Sequence, residues 1–232
     1  MKKPAIFWIP VASLVALFIL APLARAEQVA ISEIHYNPKA GKPEYIELQN
    51  LTATVFDIAE WRFTNGVEYT FPPFIAATAS RTFLGKFERI LVAGVDEATL
   101  RAAYPAIPAA VKIYGPWLGV LNNGGEVITV RDRNRVRMAE VNYGDDGRKW
   151  PVSADGAGHS VRLVKENYGA GDWRNWAASA VPDGTPGAAD TAPAAGSIAG
   201  KIALNEVHFG RMGKWTGWSC AVPRRRPFPR KA

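Results

Sequence analysis

From Glu27 to about Asp190 short apolar runs alternate with Gly, Pro, Asn and Asp, a punctuation that suits strands and leaves little room for helices. Strands are predicted at Val29–Tyr36, Glu44–Gln49, Val55–Ile58, Trp61–Phe63, Glu68–Phe71, Thr82–Leu84, Arg89–Ala93, Lys112–Tyr114, Glu126–Arg131, Val136–Tyr143 and Ser160–Val164. Only Asp96–Ala103 reads as helix, with acids in its first turn to suit the macrodipole and Pro105 to end it. The fold class expected is therefore all-β, a β-sandwich with one short helix rather than a parallel α/β sheet.

Local details refine this. Ile31 and Ile34 are odd-spaced in the first strand, which predicts a bulge or burial on both faces there. Alternation is clearest across Val136-Arg137-Met138-Ala139-Glu140-Val141. Asn65-Gly66 suits a type I′ hairpin turn, which needs two positive-φ residues. Asn122-Asn123-Gly124-Gly125 marks a second tight connection, and Gly184-Thr185-Pro186-Gly187 closes the domain. Domain limits of 27–188 follow, with a small, polar linker over 189–201.

The ends differ in kind from the middle. Lys2 and Lys3 precede an apolar run to Leu23, and Leu23-Ala24-Arg25-Ala26 places small residues at −3 and −1 before Glu27; residues 1–26 are expected to be a signal helix that is removed on export. If retained, it would be the chain's one attachment to a membrane. The formal net charge of +7 is a property of the ends, because Glu27–Gly210 holds 18 Lys/Arg against 21 Asp/Glu. A basic nucleic-acid groove on the folded part is thereby disfavoured. A single cysteine, Cys220, excludes an internal disulfide framework and a cysteine-based zinc knuckle.

Residues 202–232 open with Ile202-Ala203-Leu204-Asn205-Glu206-Val207-His208-Phe209, which echoes Val29-Ala30-Ile31-Ser32-Glu33-Ile34-His35-Tyr36. They end in an Arg/Pro-rich tail that one reading treats as a solvated basic extension. A second reading is a frameshift near Arg211. With favourable synonymous codons, Arg211–Cys220 read out of phase encode DGKVDWVEL, whose last eight residues parallel Gly41–Leu48 position for position. The natural product is then expected to continue into a second copy of the domain, and the basic tail is not a functional element.

Several residues invite a chemical reading. Glu33, Glu44 and Glu47 would pair as general acid and base if they met in a cleft. Strand geometry puts Glu33 with His35 on one face, and Tyr45 with Glu47; the expectation is nevertheless that Glu33, Glu47 and Asn50 hold the fold. His35, His159 and His208 are too few and scattered for a metal site, and Gly158-His159-Ser160 reads as a turn entering a strand. Asp145-Asp146-Gly147 has the composition of a calcium loop but also of an ordinary Asp-Gly turn, the preferred reading. Trp61, Trp117, Trp150, Trp173 and Trp176 are expected in the core; Gly171–Trp176 is the best candidate for an aromatic binding surface. Asn50-Leu51-Thr52 forms a glycosylation sequon.

The ordered set Ile31–Pro38 (ISEIHYNP), Glu44–Asn50 (EYIELQN), Asp57–Trp61 (DIAEW) and Tyr69–Pro72 (YTFP), with Asn122–Glu126 and Trp173…Thr185-Pro186-Gly187, resembles the lamin tail domain. The resemblance covers residues 28 to about 188. Ser32 stands where secreted bacterial members have Asn, and Ile58-Ala59-Glu60 stands where they have Leu-Ser-Gly. It implies an immunoglobulin-like β-sandwich and an exported, non-catalytic module for surface recognition or adhesion. The compartment expected is the periplasm, cell envelope or exterior. The partner would be a protein or polysaccharide, and a longer multidomain envelope protein the context. The alternative is a non-catalytic accessory part of a secreted hydrolase or of a kinase resembling spore coat protein H. No catalytic, cofactor or metal residue is expected.

Overall fold

The computed structural model describes residues 27–75 and 82–190, and the backbone of strands Ala203–Phe209 and Trp215–Ala221. The expected leader, most of the expected linker and the terminal tail lie outside the described residues.

Twelve strands form the body: β1 (Val29–His35), β2 (Tyr45–Asn50), β3 (Phe56–Asp57), β4 (Arg62–Asn65), β5 (Tyr69–Thr70), β6 (Phe83–Leu84), β7 (Arg89–Ala93), β8 (Lys112–Tyr114), β9 (Gly125–Arg131), β10 (Arg137–Gly144), β11 (Val161–Leu163) and β12 (Trp176–Ala178). One sheet has six strands in the order β12-β11-β1-β2-β7-β8; a second has four, β10-β9-β4-β5; β3 and β6 form a small pair. Helix α1 (Glu97–Ala103) carries the chain from β7 to β8, and these are the parallel neighbours of an otherwise antiparallel sheet. The helix starts one residue later than expected, because Asp96 is its N-cap rather than its first residue, with Oδ1 accepting from Thr99 N at 2.9 Å.

The sandwich core lies between the two sheets. Val29, Ile31, Ile34, Ile46, Leu48, Ile90 and Val92 from one meet Phe63, Ile128, Val130, Val141 and Tyr143 from the other. All seven residues of β1 and all six of β2 are buried, so these strands have no solvent face. The odd spacing of Ile31 and Ile34 has the predicted cause: the register with β2 shifts between Ile31 and Glu33, a bulge at Ser32 that turns both isoleucines inward.

A third layer, which no local pattern in the residues signals, covers part of the outer face of the six-stranded sheet. Leu100 and Tyr104 of the helical segment pack on Tyr45, Leu91 and Ala93, and residues 183–190 lie against Glu33, Glu47 and Arg162.

Asn65-Gly66 departs from expectation. Gly66 has φ +84, but Asn65 stays extended and pairs with Thr129 of β9, so no two-residue type I′ turn forms. Competition from a third strand outweighs the local turn preference. The connection at 122–125 is tight as expected: Gly124 N reaches Asn122 Oδ1 at 2.8 Å and Gly125 N reaches Asn122 O at 3.0 Å. Strand β12 was not anticipated, because Trp176-Ala177-Ala178 carries no strand pattern.

Since β11 hydrogen-bonds to β1 and β12 to β11, a chain spanning 27–145 should fail to unfold cooperatively in thermal melts, whereas 27–190 should give a single transition. A cooperative 27–145 fragment would contradict this topology.

Candidate functional site

The bulge at Ser32 fixes the chemistry of the outer face. After it, Glu33 and His35 point away from the core, and the β1–β2 register sets Glu33 opposite Glu47 and His35 opposite Tyr45. The structure thus brings two of the three candidate acids together, both 2% exposed. Glu44 lies apart, its Oε2 accepting from Leu121 N at 2.9 Å.

Two buried carboxyls on one rung need donors, and the fold supplies them. Glu33 Oε1 accepts from Tyr45 Oη at 2.7 Å, Ser160 Oγ at 2.5 Å and Thr185 N at 3.0 Å. Glu47 Oε1 accepts from Ser32 Oγ at 2.6 Å and Arg89 Nε at 3.0 Å, and its Oε2 accepts from Gly187 N at 2.7 Å. Arg89 also donates to Gln49 and Glu166. The bulged residue itself is therefore one of the donors.

The two backbone donors come from the Gly184-Thr185-Pro186-Gly187 motif, which does more than end the domain. It forms a strap across the acid pair, pinned at one side by the Lys42–Asp183 ion pair at 2.6 Å and at the other by Asp190 on Arg162. Tyr45 Oη also donates to Asp183 O at 3.1 Å. Gly184 has φ +76, and a Cβ there would overlap Glu33 Oε1 and Tyr45 Oη, so glycine is required on both counts.

Burial pushes the Glu33 and Glu47 carboxyls up, Glu47 to about 8, and for Glu47 the neighbouring Glu33 charge adds to the shift. The pair therefore retains a proton into the neutral range. His35 stacks on Tyr45 at 5.3 Å and lies edge-on to Tyr104 at 5.8 Å. Neither of its ring nitrogens has a hydrogen-bond partner, and burial pulls its pKa down to about 4, so it is neutral.

The cavity against the pair is about 130 Å³, lined by Glu33, Glu47, Arg89, Arg162, Glu166 and Asp190 among others. That is a space for a few waters, well below the roughly 300 Å³ at which small-molecule sites begin.

The other candidates resolve into structure. Asn50 is fully buried, its Nδ2 donating to Thr54 O and Gly85 O at 2.6 Å each and its Oδ1 accepting from Thr52 N at 2.9 Å. It holds the fold as expected, by closing a turn, and its amide is out of reach for glycosylation once folded. Asp146 Oδ1 accepts from Lys149 N at 2.8 Å and Arg148 N at 3.2 Å, the work of a turn; these bonds hold its carboxyl below the usual range. Trp61, Trp117, Trp150 and Trp176 are buried. In the segment 171–176, Trp176 belongs to β12 and donates to Ala170 O at 2.9 Å, and Trp173 is half-buried beneath the Arg174 guanidinium. His159 Nδ1 sits 2.9 Å from Ser179 O at the mouth of β11. His208 lies on the strand Ala203–Phe209.

Residues 22–145, just over half of the chain, match the Lamin Tail Domain family. No curated protein matches the chain.

The signs of the pH response are fixed by these groups. His35, lowered in the folded state, contributes stability that is lost as pH falls below 6.5. The raised acids act oppositely: their contribution is whole below about 4.5 and is lost as pH rises through the folded values. Between pH 6.5 and 8 only the acids act, so stability of residues 27–190 should fall by up to about 1.4 kcal/mol per pH unit. Glu47→Gln should flatten that slope while costing about 1–3 kcal/mol at pH 6. Denaturant melts across the window check both. Gly184→Ala should cost at least about 2 kcal/mol by overpacking the acid pair.

Proposed function

Since the chain belongs to the Lamin Tail Domain family, whose immunoglobulin-like sandwich is generally non-catalytic, we propose that it acts as an exported module for surface recognition. Its partner would be a protein or polysaccharide of the cell envelope, within a larger multidomain envelope protein. The observation that carries this reading is the use made of the acid pair. Glu33 and Glu47 are the two acids that strand geometry unites, and their hydrogen bonds go to strands and strap, beside a cavity too small for a sugar unit.

Recognition then falls to the exposed loops. Phe87 is the strongest single candidate: it is 61% exposed and held at φ +53, a conformation that costs a bulky residue roughly 1–3 kcal/mol. Leu118 and Val120, 70% and 75% exposed, supply further apolar contact area in the segment between β8 and β9. The near-neutral balance of the folded part favours such contacts over a polyanion, and the leader-like first 26 residues favour export.

The test is to present residues 27–190 with envelope polysaccharides and envelope protein extracts, measuring retention and turnover together. Retention without turnover is expected. Phe87→Gly should leave the melting temperature within about 5 °C of the parent while weakening retention at least tenfold. Turnover of any substrate that disappears in Glu33→Gln would overturn the reading.

A further inference from the structure

The strands Ala203–Phe209 (β13) and Trp215–Ala221 (β14) pair antiparallel as a hairpin. Their register can be set beside that of β1 and β2. In the first hairpin the pairs are Ile31↔Leu48, Glu33↔Glu47 and Ile34↔Ile46, with the register shift between Ile31 and Glu33. In the second they are Leu204↔Cys220, Glu206↔Ser219 and Val207↔Trp218, with a register shift between Leu204 and Glu206 and a further one, which the first hairpin lacks, between Val207 and Phe209. By the sequence echo Leu204 corresponds to Ile31, Asn205 to Ser32 and Glu206 to Glu33. The shift at Asn205 falls at the place of the bulge at Ser32.

The copied register exposes a defect in the printed strand. Position 219 takes the place of Glu47 and position 220 that of Leu48, yet they hold Ser and Cys. A β1–β2 unit is built for burial at all thirteen positions, and a two-stranded hairpin is at best marginally stable without further strands to cover it. β14 (WTGWSCA) has the backbone place of a β2 strand without its acid.

The nucleotide code supplies what the protein frame lacks. The codon of Trp218 ends in G and that of Cys220 begins with TG. If Ser219 is encoded by AGT or AGC, one extra base at codon 211 yields glutamate in place of Ser219 and leucine in place of Cys220. The same shift forces glycine from Met212-Gly213 and aspartate from Trp215-Thr216. With such a serine codon, glutamate and leucine fall at the two positions that the register, obtained independently of any codon choice, makes the equivalents of Glu47 and Leu48.

We infer that Ala203–Phe209 is the first strand of a second lamin-tail sandwich, and that residues 211–232 are read out of frame from the gene encoding the rest of it. The second unit carries its own acid pair, formed by Glu206 and the glutamate restored at position 219. This stands apart from what the module recognises, since it rests on the sequence echo, the strand register and the genetic code alone.

The experiment is to sequence genomic DNA and transcript through codons 205–232 and beyond. The inference requires AGT or AGC at codon 219 and a shifted frame that stays open past codon 232. A TCN serine codon at 219, or a stop in the shifted frame at or before codon 232, overturns it.

Discussion

Two carboxyls facing each other across a buried strand pair govern this domain. Glu33 and Glu47 sit on the central strands of the larger sheet, where a pair of unsatisfied charges would cost more than most domains have to spare. Each is instead held by short-range donors, Ser32 and Tyr45, and by donors brought from far along the chain, Arg89, Ser160, Thr185 and Gly187. The consequence is topological. The β1–β2 pair is complete only when β7, β11 and the strap have arrived, so the acids couple the first strands of the domain to its last loop. The sheet and the acid pair's shell both run past residue 145, where the family match stops, since β11, β12 and three of the six donors (Ser160, Thr185 and Gly187) lie beyond it.

Much of this was legible in the residues. The odd spacing of Ile31 and Ile34 announced the bulge, and strand periodicity grouped Glu33 with His35 and Tyr45 with Glu47. The short helix with its early acids, the fold-holding Asn50 and the 122–125 connection are local chemistry, which a single sequence carries well. What failed was non-local. Asn65-Gly66 has the strongest turn signal in the chain, but β9 captures Asn65. β12 is made a strand by β11 alone. The strap's role could not be read from Gly184-Thr185-Pro186-Gly187, because its partners Glu33 and Glu47 lie 152 and 140 residues away. A conformationally demanding glycine beside Thr-Pro was the available signal, and it pointed to a turn without saying what the turn covers.

For function, the same geometry turns a tempting motif into a structural one. An acid pair with raised carboxyls has the ingredients of general acid–base chemistry, but here three donors converge on Glu33 Oε1, both oxygens of Glu47 are engaged, and the cavity is too small to seat a substrate. A sandwich that spends its buried acids on its own closure leaves recognition to its loops, and among the described residues most of the exposed large apolar side chains lie there, Phe87 in a strained conformation among them.

The central claim is that the strap seals the acid pair as part of the global fold. Native-state hydrogen exchange of residues 27–190 reads this at single amides. The account requires Thr185 and Gly187 N–H to exchange only with global unfolding, at the free energy of the β1 and β2 amides, and to lose that protection in Glu47→Gln. Exchange of both amides at the rate of an open loop, with β1 and β2 still protected, would contradict it.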